Sequence, residues 1–212
     1  LYTLSRKGVA HVASLGMSRE LVPNAFRLDR LDDSFLEHNL LVARLWALFE
    51  AQVAHGALQA CRWVPEPALR ARRLRIADPR SGRTLPVLPD GYAELERMDG
   101  TIRCCFVEVD MGTLTLARLR RKVRAFEAYV AAGGIRQDWA REGCDFAILT
   151  HSWERLRNVW KTARQEVGPA RLGSYVLITA DALEGVSHAG EISWLTLDGA
   201  YVERFASPSD HG

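Results

Sequence analysis

The sequence predicts an α/β protein in which a mixed β-sheet is flanked by helices. Three observations lead to this fold class. A long apolar helical segment comes before several strand-like segments, two of those segments are joined by a strong hairpin signal, and an amphipathic helix then leads into a buried strand. The predicted order is α-β-β-β-α-β, followed by an additional C-terminal helix and strands.

Composition limits the class of protein. At 212 residues, with 48% hydrophobic and 25% charged residues, the chain can build one good-sized core and at most a small appendage. No apolar run approaches the roughly 20 residues that span a bilayer, and the start lacks the apolar segment of a secretion signal. We therefore expect a soluble, cytoplasmic protein with no membrane partner.

The chemistry-bearing residue types exclude several kinds of site. The four cysteines form no CxxC pair and have no histidine at metal spacing, so we expect buried, reduced thiols. The chain has no Gly-rich phosphate loop or nucleophile elbow, and no small-molecule cofactor is evident. A formal net charge of +2 is too small to argue for nucleic acid by itself.

The chain before residue 34 has no firm helical or strand period, except for a strand-like piece and a short helical segment that breaks at Gly16. A strand leading into a short helix is typical of the end of a winged-helix domain, and a hairpin remnant explains the pattern about as well. We assign residues 1–33 to the remnant of a winged-helix-like region and a linker. Residues 34–206 form the main domain, and residues 207–212 form a frayed tail.

The first strong helical signal starts at Ser34, and its side chains are apolar over much of the circumference, as expected for a helix packed between other elements. Ser34 and Glu37 have the spacing of a capping box, which would give Glu37 a purely structural role. His38 is more often a packed or rim histidine than a ligand. A strand over residues 57–64 and an Arg-rich surface hairpin or loop over residues 68–88 follow.

Two strand-like segments, residues 92–98 and 101–109, are joined by Asp99-Gly100. A two-residue turn would place Asp90 opposite Val109, with Asp90 and Glu108 on opposite faces. A three-residue loop with Gly100 in the left-handed region would instead place Asp90 opposite Glu108 on one face. Glu108 and Asp110 share a face in either case.

The next helix presents a stripe of apolar residues to the sheet, and Thr113 is its predicted N-cap. At about 100° per residue, Lys122 falls on the flank of that stripe, on the same side as Arg118 and Tyr129. Lysine is scarce in this Arg-rich chain, so its position is mildly informative. The later segments are a strand over 146–150, a second amphipathic helix over 153–167, a strand over 175–179 and a closing hairpin around Asp198-Gly199.

The order of elements, together with Pro89-Asp90, Glu108-Val-Asp110 and Lys122, resembles the PD-(D/E)XK nuclease superfamily, the restriction-endonuclease-like fold, over roughly residues 34–150. Within it, the chain is most similar to the replication-relaxation family of plasmid and mobile-element proteins. The residues that carry this similarity are Leu36-Glu37-His38, Pro89-Asp90, Glu108 to Thr113, Arg121-Lys122 and Tyr129. Such proteins typically carry a winged-helix domain before the nuclease-like one.

This resemblance implies a metal-dependent DNA endonuclease, in which Mg²⁺, or Mn²⁺ in its place, is held by Asp90 and Glu108. Lys122 would be the catalytic cation, and Asp110 and Glu37 would be additional acidic residues of the site. The usual motif has a lysine where this chain has Asp110, so catalysis depends on Lys122 reaching the sheet from the helix. Whether the protein is an active deoxyribonuclease is therefore left open.

DNA is the partner that the resemblance implies, and the oligomeric state is not predicted. The expected contacts to nucleic acid come from Arg118, Arg121, Arg70, Arg72, Arg73 and Tyr129. Two alternatives remain: a catalytically inactive DNA-binding accessory protein on the same fold, and an interaction module with no nucleic-acid role. Each motif also has an ordinary explanation, because Pro-Asp-Gly is a common turn and Glu108 and Asp110 suit a half-exposed strand.

Overall fold

The computed structural model describes residues 33–206, with side chains from residue 35 onward. The predicted winged-helix remnant, the predicted tail and the side chain of the predicted cap Ser34 lie outside the described residues. The chain divides into two units between Glu37 and His38. Of the first unit, only the first residues of one helix are described, and the sheet and helices below belong to the second.

The helices are α1 (Asp33–Ala54), α2 (Glu66–Arg72), α3 (Leu116–Ala131), α4 (Gly134–Trp139) and α5 (Trp153–Arg164), with short 3-10 helices at Pro169–Ser174, Ala180–Leu183 and Ala189–Glu191. The strands are β1 (Ala60–Pro65), β2 (Arg75–Ala77), β3 (Thr84–Pro86), β4 (Gly91–Glu96), β5 (Ile102–Asp110), β6 (Asp145–Thr150), β7 (Tyr175–Thr179), β8 (Trp194–Thr196) and β9 (Tyr201–Val202).

The main sheet is mixed and has the order β1-β4-β5-β6-β7-β8-β9. Strands β1, β4 and β5 pair antiparallel, whereas β5, β6 and β7 pair parallel. The last two pairings, β7 with β8 and β8 with β9, are antiparallel again. The predicted α/β fold with a mixed sheet is therefore confirmed. Strands β2 and β3 form a separate hairpin within the Arg-rich excursion.

Side chains that alternate along β5 divide the core into two layers. Phe106 packs with Phe126 and other buried residues of α3 and α5 on one face. Val107 lies on the other face, in the layer that contains Phe49 of α1. Glu108 and Asp110 follow Phe106 at two-residue spacing, so both point toward the α3 and α5 side of the sheet.

Helix α1 is buried along one face only, which corrects the prediction that it packs between other elements. Leu45 and Phe49 are fully buried. Leu40 and Trp46, on the other side of the helix, are 47% and 43% exposed. The sequence pattern failed here because these apolar residues continue the hydrophobic run while staying about half exposed, and Trp46 only stacks on the partly buried Trp63.

The hairpin between β4 and β5 adopts the three-residue loop of the two alternatives. The amide of Arg97 donates to the carbonyl of Thr101 at 2.8 Å, and Gly100 has a φ of 79°. The register pairs Gly91 with Val107, so one step further along the ladder places Asp90 opposite Glu108. The hairpin thus brings both carboxylates to the same face at one end of the sheet.

Local predictions around the helices need three corrections. Thr115, not Thr113, caps α3, and its hydroxyl accepts from the amide of Arg118 at 3.3 Å. Helix α2 begins at Glu66 and occupies the start of the stretch predicted as a surface hairpin or loop, because Pro67 fits the first helical turn. The chain turns at Gly133, with a φ of 77°, and then forms the short helix α4, which the sequence pattern did not predict.

Candidate functional site

Asp90 lies just before β4 and joins three elements. Its Oδ2 accepts a hydrogen bond from the backbone amide of Val109 at 2.7 Å. The same oxygen lies 3.1 Å from Nε2 of His38, on α1. The hydrogen bond to Asp90 raises the pKa of His38, and this effect outweighs the opposing effect of burial. Asp90 therefore fixes the end of β4 to β5 and favours a protonated imidazole beside it.

Glu108 contacts Lys122 across the layer between β5 and α3. The ammonium Nζ of Lys122 lies 2.5 Å from Oε1 of Glu108. The glutamate side chain is only 4% exposed, whereas the lysine side chain is 34% exposed. The lysine therefore reaches the strand from the helix flank, as its helical angle predicted, and keeps a side open to solvent.

The charges at this site act on one another. Burial is the largest cause that raises the pKa of Glu108 to about 8, the charge of Asp90 adds to it, and Lys122 opposes it. Burial alone would lower the pKa of Lys122, but Glu108 and then Asp90 outweigh it, and the net shift is upward. Asp90 thus acts electrostatically on both members of the pair.

One buried carboxylate oxygen at this site has no hydrogen-bond partner. Oε2 of Glu108 is inaccessible to solvent and meets no donor among the residues that the structure describes. Glu108 and Lys122 line a cavity of about 10 Å³, walled by residues 86–89, which is about the size that holds one water. An unpaired buried carboxylate beside a second carboxylate is an arrangement that a divalent cation stabilises.

The donors fit a hard cation that keeps much of its own water. Mg²⁺ is usually held by one or two carboxylates, with water and substrate phosphates completing its shell. Within residues 33–206, no group of three or more His, Cys, Asp or Glu side chains is arranged to hold a metal. Asp90 and Glu108 would supply at most two carboxylates, so water and a phosphate would have to complete the shell of any Mg²⁺ bound there.

Asp110 shares the face of Glu108 but is held by a different helix. Its Oδ2 accepts from Nε and Nη2 of Arg155, on α5, at 2.9 and 2.6 Å. Its Oδ1 accepts from the amide of Gly112 at 2.9 Å, and Arg155 also donates to the carbonyl of Leu114. Asp110, with a side chain that is fully buried, thus anchors the loop between β5 and α3. No local sequence pattern indicates Arg155, which lies 45 positions from Asp110 along the chain.

The sequence model of the replication-relaxation family matches residues 1–144, about two thirds of the chain, and this span includes Asp90, Glu108 and Lys122. The chain belongs to the replication-relaxation family. Membership suggests a role in plasmid or mobile-element DNA processing and an interaction with DNA. No match was found among curated proteins or among solved structures.

Two acidic residues of this replication-relaxation protein have less defined relations to the site. Glu37 is exposed and belongs to the first unit, so its position relative to Asp90 and Glu108 is not described. Glu66, which no sequence motif indicates, donates its amide to the carbonyl of Asp90 at 3.1 Å. After the larger effects of Asp90 and Glu108, its charge also raises the pKa values of His38 and Lys122.

The predicted nucleic-acid contacts of the replication-relaxation protein fall into two groups. Arg118, Arg121, Arg70 and Arg73 are exposed, although Arg70 forms an ion pair with Glu66. Arg72 is also exposed, so the prediction for it stands, and its guanidinium lies 4.1 Å above the ring of Trp139 and donates to the carbonyl of Asp138 at 3.2 Å. Tyr129 is only 3% exposed, and its hydroxyl donates to Asp138 at 2.7 Å. Tyr129 therefore has no free face for a nucleic acid.

In the described part of the replication-relaxation protein, no helix has both the length and the apolar character needed to cross a membrane.

Proposed function

We propose that this replication-relaxation protein is a Mg²⁺-dependent DNA endonuclease of the PD-(D/E)XK type that acts in plasmid or mobile-element DNA processing. The observation that carries the proposal is the contact of 2.5 Å between Lys122 and Glu108, combined with the unpartnered Oε2 of Glu108. This contact places Lys122 and the buried Glu108 together at the end of the sheet where Asp90 also lies.

The order of elements supports the restriction-endonuclease-like core. With α2, the β2–β3 hairpin and α4 counted as insertions, α1, β1, β4, β5, α3 and β6 follow the pattern α-β-β-β-α-β along the chain. The four strands also lie side by side in chain order within the sheet. The proposal includes the domain organisation predicted from sequence, with a nuclease-like domain over residues 34–206 behind a winged-helix remnant.

In this proposal Asp90 and Glu108 hold the cation, and Lys122 supplies fixed positive charge beside them. A bound Mg²⁺ would neutralise phosphate charge and make water a better nucleophile near neutral pH. Lys122 would stabilise the negative charge that develops on the phosphate, since one side of it is open to solvent. Asp110 would position the loop that leads into α3 through Arg155, and the role predicted for Glu37 stays a prediction.

The exposed arginines would hold the DNA backbone. Arg118 and Arg121 lie on the first turns of α3, the helix that also carries Lys122. Arg70 and Arg73 lie at the end of α2, the helix whose first residue hydrogen-bonds Asp90. Phosphate contacts of this kind fix position without reading sequence.

Cleavage of supercoiled plasmid in Mg²⁺ or Mn²⁺ tests the proposal, together with titration of Mn²⁺ into the protein by calorimetry. We expect wild type to nick plasmid and to bind Mn²⁺, and both properties to be lost in Glu108→Gln and Asp90→Asn. Glu184→Gln, at an exposed glutamate, is the matched control and should behave as wild type. Wild type that neither binds Mn²⁺ nor nicks plasmid would rule out the enzyme.

A second candidate is a DNA-binding accessory protein that keeps the fold without catalysis. Two observations favour it: Asp110 stands where the usual motif has lysine, and Oδ2 of Asp90 already has two polar neighbours. This candidate predicts DNA binding that weakens steeply with added salt, with no cleavage and no Mn²⁺ binding. If DNA binding is also absent, the chain is an interaction module with no nucleic-acid role.

A further inference from the structure

A second polar site lies at the opposite end of the parallel strands. A cavity of about 340 Å³ opens where β5 and β6 begin and the chain enters β7. Arg103 of β5, Asp145 of β6 and Ser174, just before β7, line it. Along β5, Arg103 and Glu108 are five residues apart, or about 17 Å at the rise of a β-strand. The cavity is therefore separate from the carboxylate site.

The lining of this cavity is rich in guanidinium groups. Arg97, Arg103, Arg171 and Arg204 all line it, together with a single carboxylate, Asp145. Arg204 holds Asp145 in a bidentate pair, with N to O distances of 2.6 and 2.9 Å. Both carboxylate oxygens of Asp145 are thereby paired with Arg204. Nε of Arg103 lies 3.9 Å from Oδ2 of Asp145.

Carboxylates outside the lining offset only part of this charge. Nε of Arg171 donates to Glu127 at 2.9 Å, and Asp198 lies close enough to Arg204 to raise its pKa, after the larger effect of Asp145. Burial, with a further contribution from Arg204 and Arg97, lowers the pKa of Arg103. The neighbouring guanidinium groups therefore repel one another, and an anion among them would relieve that repulsion.

Two of these arginines have donors without acceptors. Nη2 of Arg171 is buried and meets no hydrogen-bond partner. Within the described part of the chain, the side chain of Arg97 makes no hydrogen bond or ion pair, although it is only partly exposed. Nη2 of Arg171 is closed to solvent, so a ligand reaches it only if the side chain moves, whereas the donors of Arg97 stay accessible and pair with no protein group.

We propose that this cavity binds the phosphate group of a nucleotide. Guanidinium forks match the geometry of phosphate oxygens bidentately, and a phosphate carries more negative charge than a single carboxylate. The volume is at the lower end of small-ligand pockets, which leaves room for more than the phosphate itself. The nucleotide is either a free mononucleotide or the phosphorylated end of a DNA strand, because both present the same monoester.

Arg97 is the position to change, since its replacement breaks no ion pair within the protein. The probes are deoxyadenosine 5′-monophosphate, deoxyadenosine and citrate, each titrated by calorimetry into the full chain. We expect the monophosphate to bind, the nucleoside not to bind and citrate to bind at least about tenfold more weakly. Arg97→Gln should weaken the monophosphate at least about tenfold, whereas Arg97→Lys should retain part of the affinity.

The matched control is Arg83→Gln, because Arg83 is exposed, lies on the β2–β3 hairpin and does not line the cavity. It should bind the monophosphate like wild type. Equal binding of nucleoside and monophosphate, equal binding of citrate, or an unchanged affinity in Arg97→Gln would each overturn the proposal.

Two oligonucleotides identify the source of the phosphate. If a 5′-phosphorylated strand binds wild type more tightly than its 5′-hydroxyl counterpart, and Arg97→Gln removes the difference, the ligand is a DNA end. If the mononucleotide binds and the two strands do not differ, the ligand is a free nucleotide. Either result supports the cavity as a phosphate site, and neither depends on cleavage activity or metal binding by Asp90 and Glu108.

Discussion

The ammonium of Lys122 lies 2.5 Å from Oε1 of Glu108, although one residue belongs to a helix and the other to a buried strand. The pair connects α3 to β5 at the point where Asp90 also arrives, through the three-residue hairpin loop. The three-residue loop sets the register that brings Asp90 beside Glu108. Lys122 joins them because it lies on the flank of α3 that faces this end of the sheet.

Removing the lysine should destabilise the protein most where Glu108 is ionised. Lys122→Met leaves the carboxylate of Glu108 buried beside Asp90, and we expect a loss of about 1–3 kcal/mol at pH 9, reduced by the partial exposure of Lys122. Urea denaturation at pH 9 and pH 6 measures it, and the loss should be smaller at pH 6. Lys161→Met, at an exposed lysine of α5, is the control. An equal loss at both pH values would contradict the expectation.

The raised pKa of Glu108 predicts a pH dependence of stability in metal-free buffer. The folded protein holds this proton up to a pH of about 8, whereas an ordinary glutamate releases it near 4.5. Between these values the folded state binds more protons, so this contribution to stability falls as the pH rises and is lost above about 8. The variant Glu108→Gln should lack that contribution. The difference in unfolding free energy between wild type and this variant should therefore change between pH 5 and pH 9. A difference that does not change with pH would refute the shift.

Asp110 at the end of β5 and Asp90 just before β4 should differ in their effects on metal affinity and on stability. Asp110→Asn removes the partner of Arg155, a side chain only 13% exposed, and should cost about 3–5 kcal/mol. Its affinity for Mn²⁺ should stay within about twofold of wild type, whereas Asp90→Asn should lose at least about tenfold. Calorimetric titration and urea denaturation of both variants test this. A larger loss of affinity in Asp110→Asn than in Asp90→Asn would reverse the assignment.

The hairpin loop predicts a purely conformational effect at Gly100. Its φ is 79°, and a Cβ there would meet no atom within 4 Å, so Gly100→Ala should cost about 1–2 kcal/mol from backbone strain alone. Gly100→Asn should cost less, because asparagine tolerates the left-handed region better. Gly168→Ala, with an equally open position but a φ of −66°, should be neutral or slightly stabilising. Thermal denaturation measures all three, and equal effects of both alanine variants would contradict the account.

Replacing the exposed arginines of α3 should reduce the salt dependence of the affinity for DNA. Arg118→Gln and Arg121→Gln should each lower the slope of log affinity against log salt by about 1, with little change in sequence preference. Fluorescence anisotropy with a duplex of mixed sequence at several salt concentrations measures the slope. Arg136→Gln, at an exposed arginine paired with Glu142, should leave it unchanged. An unchanged slope in both α3 variants would remove this face from the DNA surface.

The sequence was informative where one element sets the direction of a side chain. The apolar stripe of α3 predicts the side of the helix that carries Lys122, and from that side the lysine contacts Glu108. The hairpin left two registers open because both loop lengths suit Asp99-Gly100, and only the left-handed conformation of Gly100 decides between them.

Contacts between distant elements were not predictable in the same way. Asp110 and Arg155 meet because α5 packs beside α3 on the same face of the sheet, and no local pattern encodes that placement. Tyr129 lies on the same side of α3 as Lys122, but α4 covers it, and Nε1 of Trp139 donates to its hydroxyl at 3.1 Å. The prediction for Tyr129 missed this because α4 itself was not predicted.

The two acids of β5 each receive a cation from the chain itself, Lys122 for Glu108 and Arg155 for Asp110. A small zinc domain unfolds when a chelator removes its ion, because the ion holds the fold together. Here the chain supplies its own counter-charges, so we expect the protein to fold without a bound ion. If Asp90 and Glu108 bind a divalent cation as proposed, a chelator should remove that cation without unfolding the protein.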